Sequence, residues 1–173
     1  MAISIKYSAF RKVMHALSVL LCLVQATIFP TAASAQSDGP FYRFPGTWRG
    51  SGKVIMADGK SERIRCTATY SVVSNGQSLS QSLICASDSY RVDVRSFIVS
   101  DGQRVQGHWE ESTRQAKGHL DGQIVEGQFD GKLSGPGFDA ALSLLTTNLR
   151  QTILITPSGG SVSRVQIALS RGG

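Results

Sequence analysis

Histidine and cysteine are scarce in this chain, three of each among 173 residues, and one of each (His15 and Cys22) lies in the first 35. That scarcity leaves no Cys/His cluster with metal-ligand spacing. His108 and His119 stand beside no serine or cysteine that a base could activate, and there is no nucleophile elbow and no phosphate-binding loop. No enzyme, no metal and no cofactor is therefore expected. Helical periodicity is lacking too: Ala140 to Leu149 is the one stretch that a 3.6-residue amphipathic repeat could claim. Long apolar runs are confined to Val13–Phe29, which His15 and Gln25 interrupt and which falls short of the roughly 20 residues needed to span a bilayer.

That apolar run has a different use. Lys6, Arg11 and Lys12 precede it and Ala33-Ser34-Ala35 follows it, the three-part pattern of a cleavable signal peptide over residues 1–35. Cys22 has no small residue before it, which argues against a lipid anchor, and Arg11 is followed by Lys12, so there is no twin-arginine signal. The expected location is periplasmic or secreted, with no membrane anchor after cleavage. Removing three basic residues and no acidic ones lowers the formal net charge from +6 to +3. The remaining Arg and Lys alternate with acids, the pattern of a solvated exterior rather than a nucleic-acid patch.

Five dipeptides punctuate what is left: Asp58-Gly59, Asn75-Gly76, Asp101-Gly102, Asp121-Gly122 and Asp130-Gly131. Asn-Gly and Asp-Gly tolerate positive φ and close tight hairpins. Between them run alternating segments, such as Tyr90, Val92 and Val94 against Arg91, Asp93 and Arg95. Successive hairpins form a meander, which closes to remove its edges. The expected fold is all-β: an arm over 36–45, then a single antiparallel up-and-down β-barrel of about ten strands over 46–173.

The Asn75-Gly76 turn sets a testable register. With Ser74 opposite Gln77, paired positions sum to 151, as do Cys66 and Cys85. Direct opposition brings two cysteines within bridging range, and the exported compartment permits a disulfide. Closing a loop of this size contributes up to about 3 kcal/mol. The same register places Leu79, Leu83 and Cys85 on the face of Ile64, Cys66, Ala68, Tyr70 and Val72. By the same logic Asp101-Gly102 matches Ile98 with Val105, Ser96 with Gly107 and Val94 with Trp109. Asp121-Gly122 matches Leu120 with Gln123, Gly118 with Val125, Ala116 with Gly127 and Arg114 with Phe129. Leu149, Gln151, Ile153 and Ile155 form one face of the penultimate strand. Gly107, Gly118 and Gly127 then fall inside the barrel, either to let bent strands coil or to leave a cavity. Both histidines point outward. Glu111 and Arg114 fall on the inner face near a barrel end: exposed, they are a rim ion pair of little energetic weight, the favoured reading; buried, they would orient an anionic or polar ligand head group.

Gly46-Thr47-Trp48, at the start of the first strand, resembles the Gly-x-Trp motif of the calycin superfamily, which includes lipocalins, fatty-acid-binding proteins and nitrobindin-like heme barrels. The resemblance implies that Trp48 closes one end of the barrel beneath an arginine from near the last strand, for which Arg171 is the placed counterpart. Heme ligation in such barrels uses an inward histidine from a late strand, and neither His108 nor His119 fits that description. The function expected is non-catalytic binding of a small apolar or amphipathic ligand bordered by Trp48, Tyr70, Val94, Trp109, Phe129 and Phe138. The alternative is a periplasmic interaction protein or an inhibitor of an envelope enzyme, acting through an extended arm that carries Phe41 and Tyr42. A hollow interior favours the first and a filled one the second.

Overall fold

The computed structural model describes residues 38–172, so the signal peptide expected over residues 1–35 lies outside the described residues. Ten strands follow one another: β1 (Gly46–Met56), β2 (Ser61–Val73), β3 (Ser78–Ala86), β4 (Arg91–Asp101), β5 (Arg104–Glu111), β6 (Ala116–Val125), β7 (Gln128–Gly135), β8 (Phe138–Thr146), β9 (Arg150–Pro157) and β10 (Val162–Arg171). Each pairs antiparallel with its sequence neighbours, and β10 pairs with β1 to close the barrel. Closure leaves no edge strand exposed. Apolar side chains alternate inward, so the core runs along the barrel axis from Trp48 and Tyr70 to Trp109.

The first two hairpins turn where expected, at Asp58-Gly59 and at Asn75-Gly76. Across the second, Cys66 faces Cys85 and the two are joined in a disulfide, with Cα atoms 4.1 Å apart. The third hairpin differs. Asp101 pairs with Arg104, so the loop is Gly102-Gln103. Val94 therefore faces Glu111 rather than Trp109, Ile98 faces Gly107 rather than Val105, and Ser96 faces Trp109 rather than Gly107. A slip of two positions leaves every side chain on its expected face, because the strand repeat is two.

Asp121-Gly122 and Asp130-Gly131 do not turn at all. They lie inside β6 and β7, where Gly122 opposes Gly131. The turns are Ser112–Gln115 and Glu126-Gly127, with φ of 53° at Gln115, 50° at Glu126 and 87° at Gly127. None of the four pairs expected from Asp121-Gly122 forms: Leu120 faces Gly107 and Leu133, Gly118 faces Trp109, Ala116 faces Glu111, and Phe129 faces Ile124 and Leu144. Gly127 is a turn residue, not an inner one. The reason is that Asp-Gly permits a turn without requiring one. Gly122 and Gly131 are held in the sheet because the Phe129 ring lies over them, 2.8 Å and 2.6 Å from where their Cβ atoms would be. Leu149 likewise sits in the β8–β9 turn, 70% exposed, and β9 begins only at Arg150.

Candidate functional site

One end of the barrel is closed by the arm. Gly39 N–H donates to the Asn75 carbonyl (2.7 Å) and Phe41 N–H to the Gly76 carbonyl (3.1 Å), fastening the arm to the β2–β3 turn. The two backbones approach so closely that a Cβ on Gly76 (φ +85°) would sit 2.6 Å from the Gly39 nitrogen. The arm is thus turned under the barrel rather than extended. Phe41 and Phe44 are buried and pack edge to face, with ring centroids 5.7 Å apart, and Phe44 meets Tyr70 in the same way at 5.4 Å. Tyr42 stays exposed, beneath the Arg43 guanidinium. Of the two arm aromatics expected to be available to a partner, Phe41 is therefore a plug.

Trp48 is fully buried behind this plug and donates its indole N–H to the Phe44 carbonyl (2.8 Å). Arg171 lies over the Trp48 ring, as the family resemblance implies. Above the plug, Phe41, Phe44, Tyr70, Gln81, Phe129 and several aliphatic side chains line a cavity of about 40 Å³. That is room for two or three waters at most. No charged side chain lines it.

Beside the cavity is a buried polar chain. Tyr70 donates its hydroxyl to Gln151 Oε1 (2.7 Å), and Gln151 Nε2 donates to Thr146 Oγ1 (3.0 Å). Gln151 and Thr146 are buried almost completely. Burial pushes the Tyr70 hydroxyl pKa far up, and the bond to Gln151 offsets only part of that. The group is therefore a neutral donor.

The six residues expected to border a ligand all belong to the inner wall, but they do not share one pocket. Tyr70 and Phe129 line the cavity, and Trp48 lies by the plug. Trp109 and Phe138 meet edge to face at 5.7 Å toward the other end of the barrel, where Val94 is half-buried. There the Trp109 ring covers Gly118 and Gly135, 2.7 Å and 3.0 Å from where their Cβ atoms would be. Gly118 and Gly135 thus make space for a ring rather than leaving it empty, whereas Gly107 lies against Ile98 and the Phe97 carbonyl. Phe44 and Thr146 were not singled out in the sequence, and Gln151 only as one position on a face of the penultimate strand. The Pro40-to-Pro45 segment has no alternation to flag Phe44, and the polar chain joins positions 81 residues apart.

Glu111 ends the same inner row and is more than a rim partner for Arg114, which it meets at 3.5 Å. Its buried carboxylate accepts the backbone N–H groups of Asp93, Thr113 and Arg114, and the Thr113 hydroxyl at 2.6 Å. Burial pushes this carboxyl pKa up, but the four hydrogen bonds outweigh it and hold the pKa at about 2. Its work is to form the Ser112–Gln115 turn. Both histidines lie on the outer surface, as expected.

Closed antiparallel ten-strand form, Trp48 at one end and Arg171 above it together decide the architecture. The fold is calycin-like. No family model matches the chain, and no curated protein matches it in sequence. Solved structures do resemble this calycin-like barrel. The S-type phycobiliprotein lyase CPES of Guillardia theta superposes with a TM-score of 0.55 at 13% identity, over 77% of this chain and 90% of that one. Rv2717c of M. tuberculosis gives 0.59 at 9% identity, over 76% and 94%.

Proposed function

We propose that the protein is an exported, non-catalytic barrel that binds a small, uncharged, apolar or amphipathic molecule, with the arm occupying part of the ligand's space in the closed state. The observation that carries this is the origin of the cavity walls. Phe41 and Phe44 come from the arm, not from the barrel, so withdrawing them enlarges an apolar chamber without disturbing a single strand pair. Sites for small molecules run to hundreds of Å³, far above the 40 Å³ of the closed state. The absence of charge among the lining residues disfavours a carboxylate ligand, while Tyr70 and Gln81 offer polar contacts to a neutral head group. A phycobiliprotein lyase built on a barrel of this form is in keeping with a binding role. Export rests on the Lys6-to-Ala35 pattern.

Native mass spectrometry of the protein isolated from its own cells tests this, together with titration by a neutral fluorescent naphthylamine. A mature mass beginning at Gln36, a co-purifying small molecule and its displacement by the probe are expected. Tighter binding of a fatty acid than of its alcohol would overturn the uncharged ligand.

A second reading, an interaction protein, is favoured by one observation: rings cover Gly118, Gly122, Gly131 and Gly135, and the cavity left is only about 40 Å³. A clean apo mass with no probe binding would select it.

A further inference from the structure

We propose that His108 and His119 form a chelating site for a divalent transition-metal cation, copper(II) foremost, on the outer wall of β5 and β6. The two residues are direct cross-strand partners. The Ile124 N–H donates to the Gln103 carbonyl at 2.8 Å, which identifies the hydrogen-bonded pairs between these strands; stepping along by two, Val105, Gly107 and Trp109 belong to that set. His108 and His119 are thus a non-hydrogen-bonded pair, the kind whose side chains stand closest, with Cβ atoms about 5 Å apart. Two imidazoles at that spacing can place one nitrogen each on a shared ion. Both are exposed, so neither must give up a buried contact. Phe97, the partner of His108 on β4, packs its ring 5.8 Å from the imidazole and narrows the orientations open to it.

The surroundings suit a weakly held, exchangeable cation. On the same face Gln106 donates to Asp121 at 3.3 Å, Glu110 stands opposite Lys117 with Arg95 beyond it, and Ser134 follows His119. Among the described residues no group of three or more His, Cys, Asp or Glu side chains converges, so water completes the coordination. Imidazole favours copper, nickel and zinc over calcium and magnesium, and the divalent series peaks at copper.

The test is titration of the protein with copper(II) alone, followed by calorimetry and by the visible absorption of the bound ion, in the parent and in His108→Gln and His119→Gln. One equivalent is expected to bind in the parent. Either substitution is expected to weaken that equivalent on the order of 10²-fold, because each removes the chelate and leaves one imidazole. Zinc is expected to bind the same site less tightly and to compete with copper for it. Circular dichroism checks that the exposed substitutions leave the barrel intact. Copper binding that is unchanged in both variants would overturn the site, as would binding lost through only one of the two histidines.

Discussion

The Arg171 guanidinium lies 4.3 Å above the Trp48 ring and donates hydrogen bonds to three carbonyls, those of Arg43, Pro45 and Asn148. One side chain near the end of β10 thereby holds the arm, the first strand and the β8–β9 turn. Arg171→Ala is expected to lower stability by about 3 kcal/mol, combining lost charged hydrogen bonds with a lost cation–π contact. Arg171→Lys keeps the charge but not the planar fork and should fall between. Urea midpoints measure both; an alanine variant as stable as the parent would contradict the latch.

The Cys66–Cys85 bond lies on the inner wall, both residues being buried. Its loss in Cys66→Ala/Cys85→Ala is expected to cost about 3 kcal/mol. Thermal unfolding of the parent should therefore shift downward with a reductant present. A transition indifferent to reductant would show that the bond contributes nothing.

Gly118 is expected to tolerate no side chain. A Cβ there would lie 2.7 Å from the Trp109 ring and closer still to the Ser134 carbonyl. Gly118→Ala should cost about 1–3 kcal/mol. Because it displaces the indole, which donates to the His119 carbonyl at 3.1 Å, it should also change the near-ultraviolet circular dichroism. Retention of both parental stability and spectrum would show that the ring is not held there.

Glu111 links stability to acid. Its folded pKa, about 2, lies below the ordinary 4.5. The contribution is thus complete above that ordinary value and disappears as the pH falls toward 2. Glu111→Gln keeps the shape but not the charge, and is expected to cost about 1–2 kcal/mol at neutral pH. The difference between parent and variant should shrink below pH 4.5. A difference that stays constant across that window would assign the loss to packing instead.

How much of this was legible depends on where each turn gets its stability. At Asn75-Gly76 the residues themselves supply positive φ, of 53° and 85°, so register and disulfide followed from local chemistry. At Ser112–Gln115 the turn is organised by Glu111, and it displaces Asp121-Gly122 as the hairpin because a capped turn and a ring-covered glycine outweigh a permissive dipeptide. Trp48 and Arg171 were legible as a pair only through the resemblance that Gly46-Thr47-Trp48 carries, which implies an arginine from near the last strand above the tryptophan. The interior was not. Whether aromatic rings fill the space above small residues depends on barrel geometry, as does the insertion of Phe41 and Phe44. The His108–His119 pairing was hidden by the same misplaced turns.

The seam between β1 and β10 bears on how the molecule assembles. Nine of the ten strand pairs join neighbours along the chain, and each can zip as soon as its own hairpin exists. The seam instead unites segments as far apart as Pro45 and Arg171, 126 residues in sequence. Bringing such ends together costs about 4 kcal/mol of loop entropy, which is recovered only when the last strand docks. Folding should therefore finish with the arm and Arg171. Until it does, the growing sheet carries two unprotected margins, at β1 and at whichever strand was formed last, each a template for a second chain.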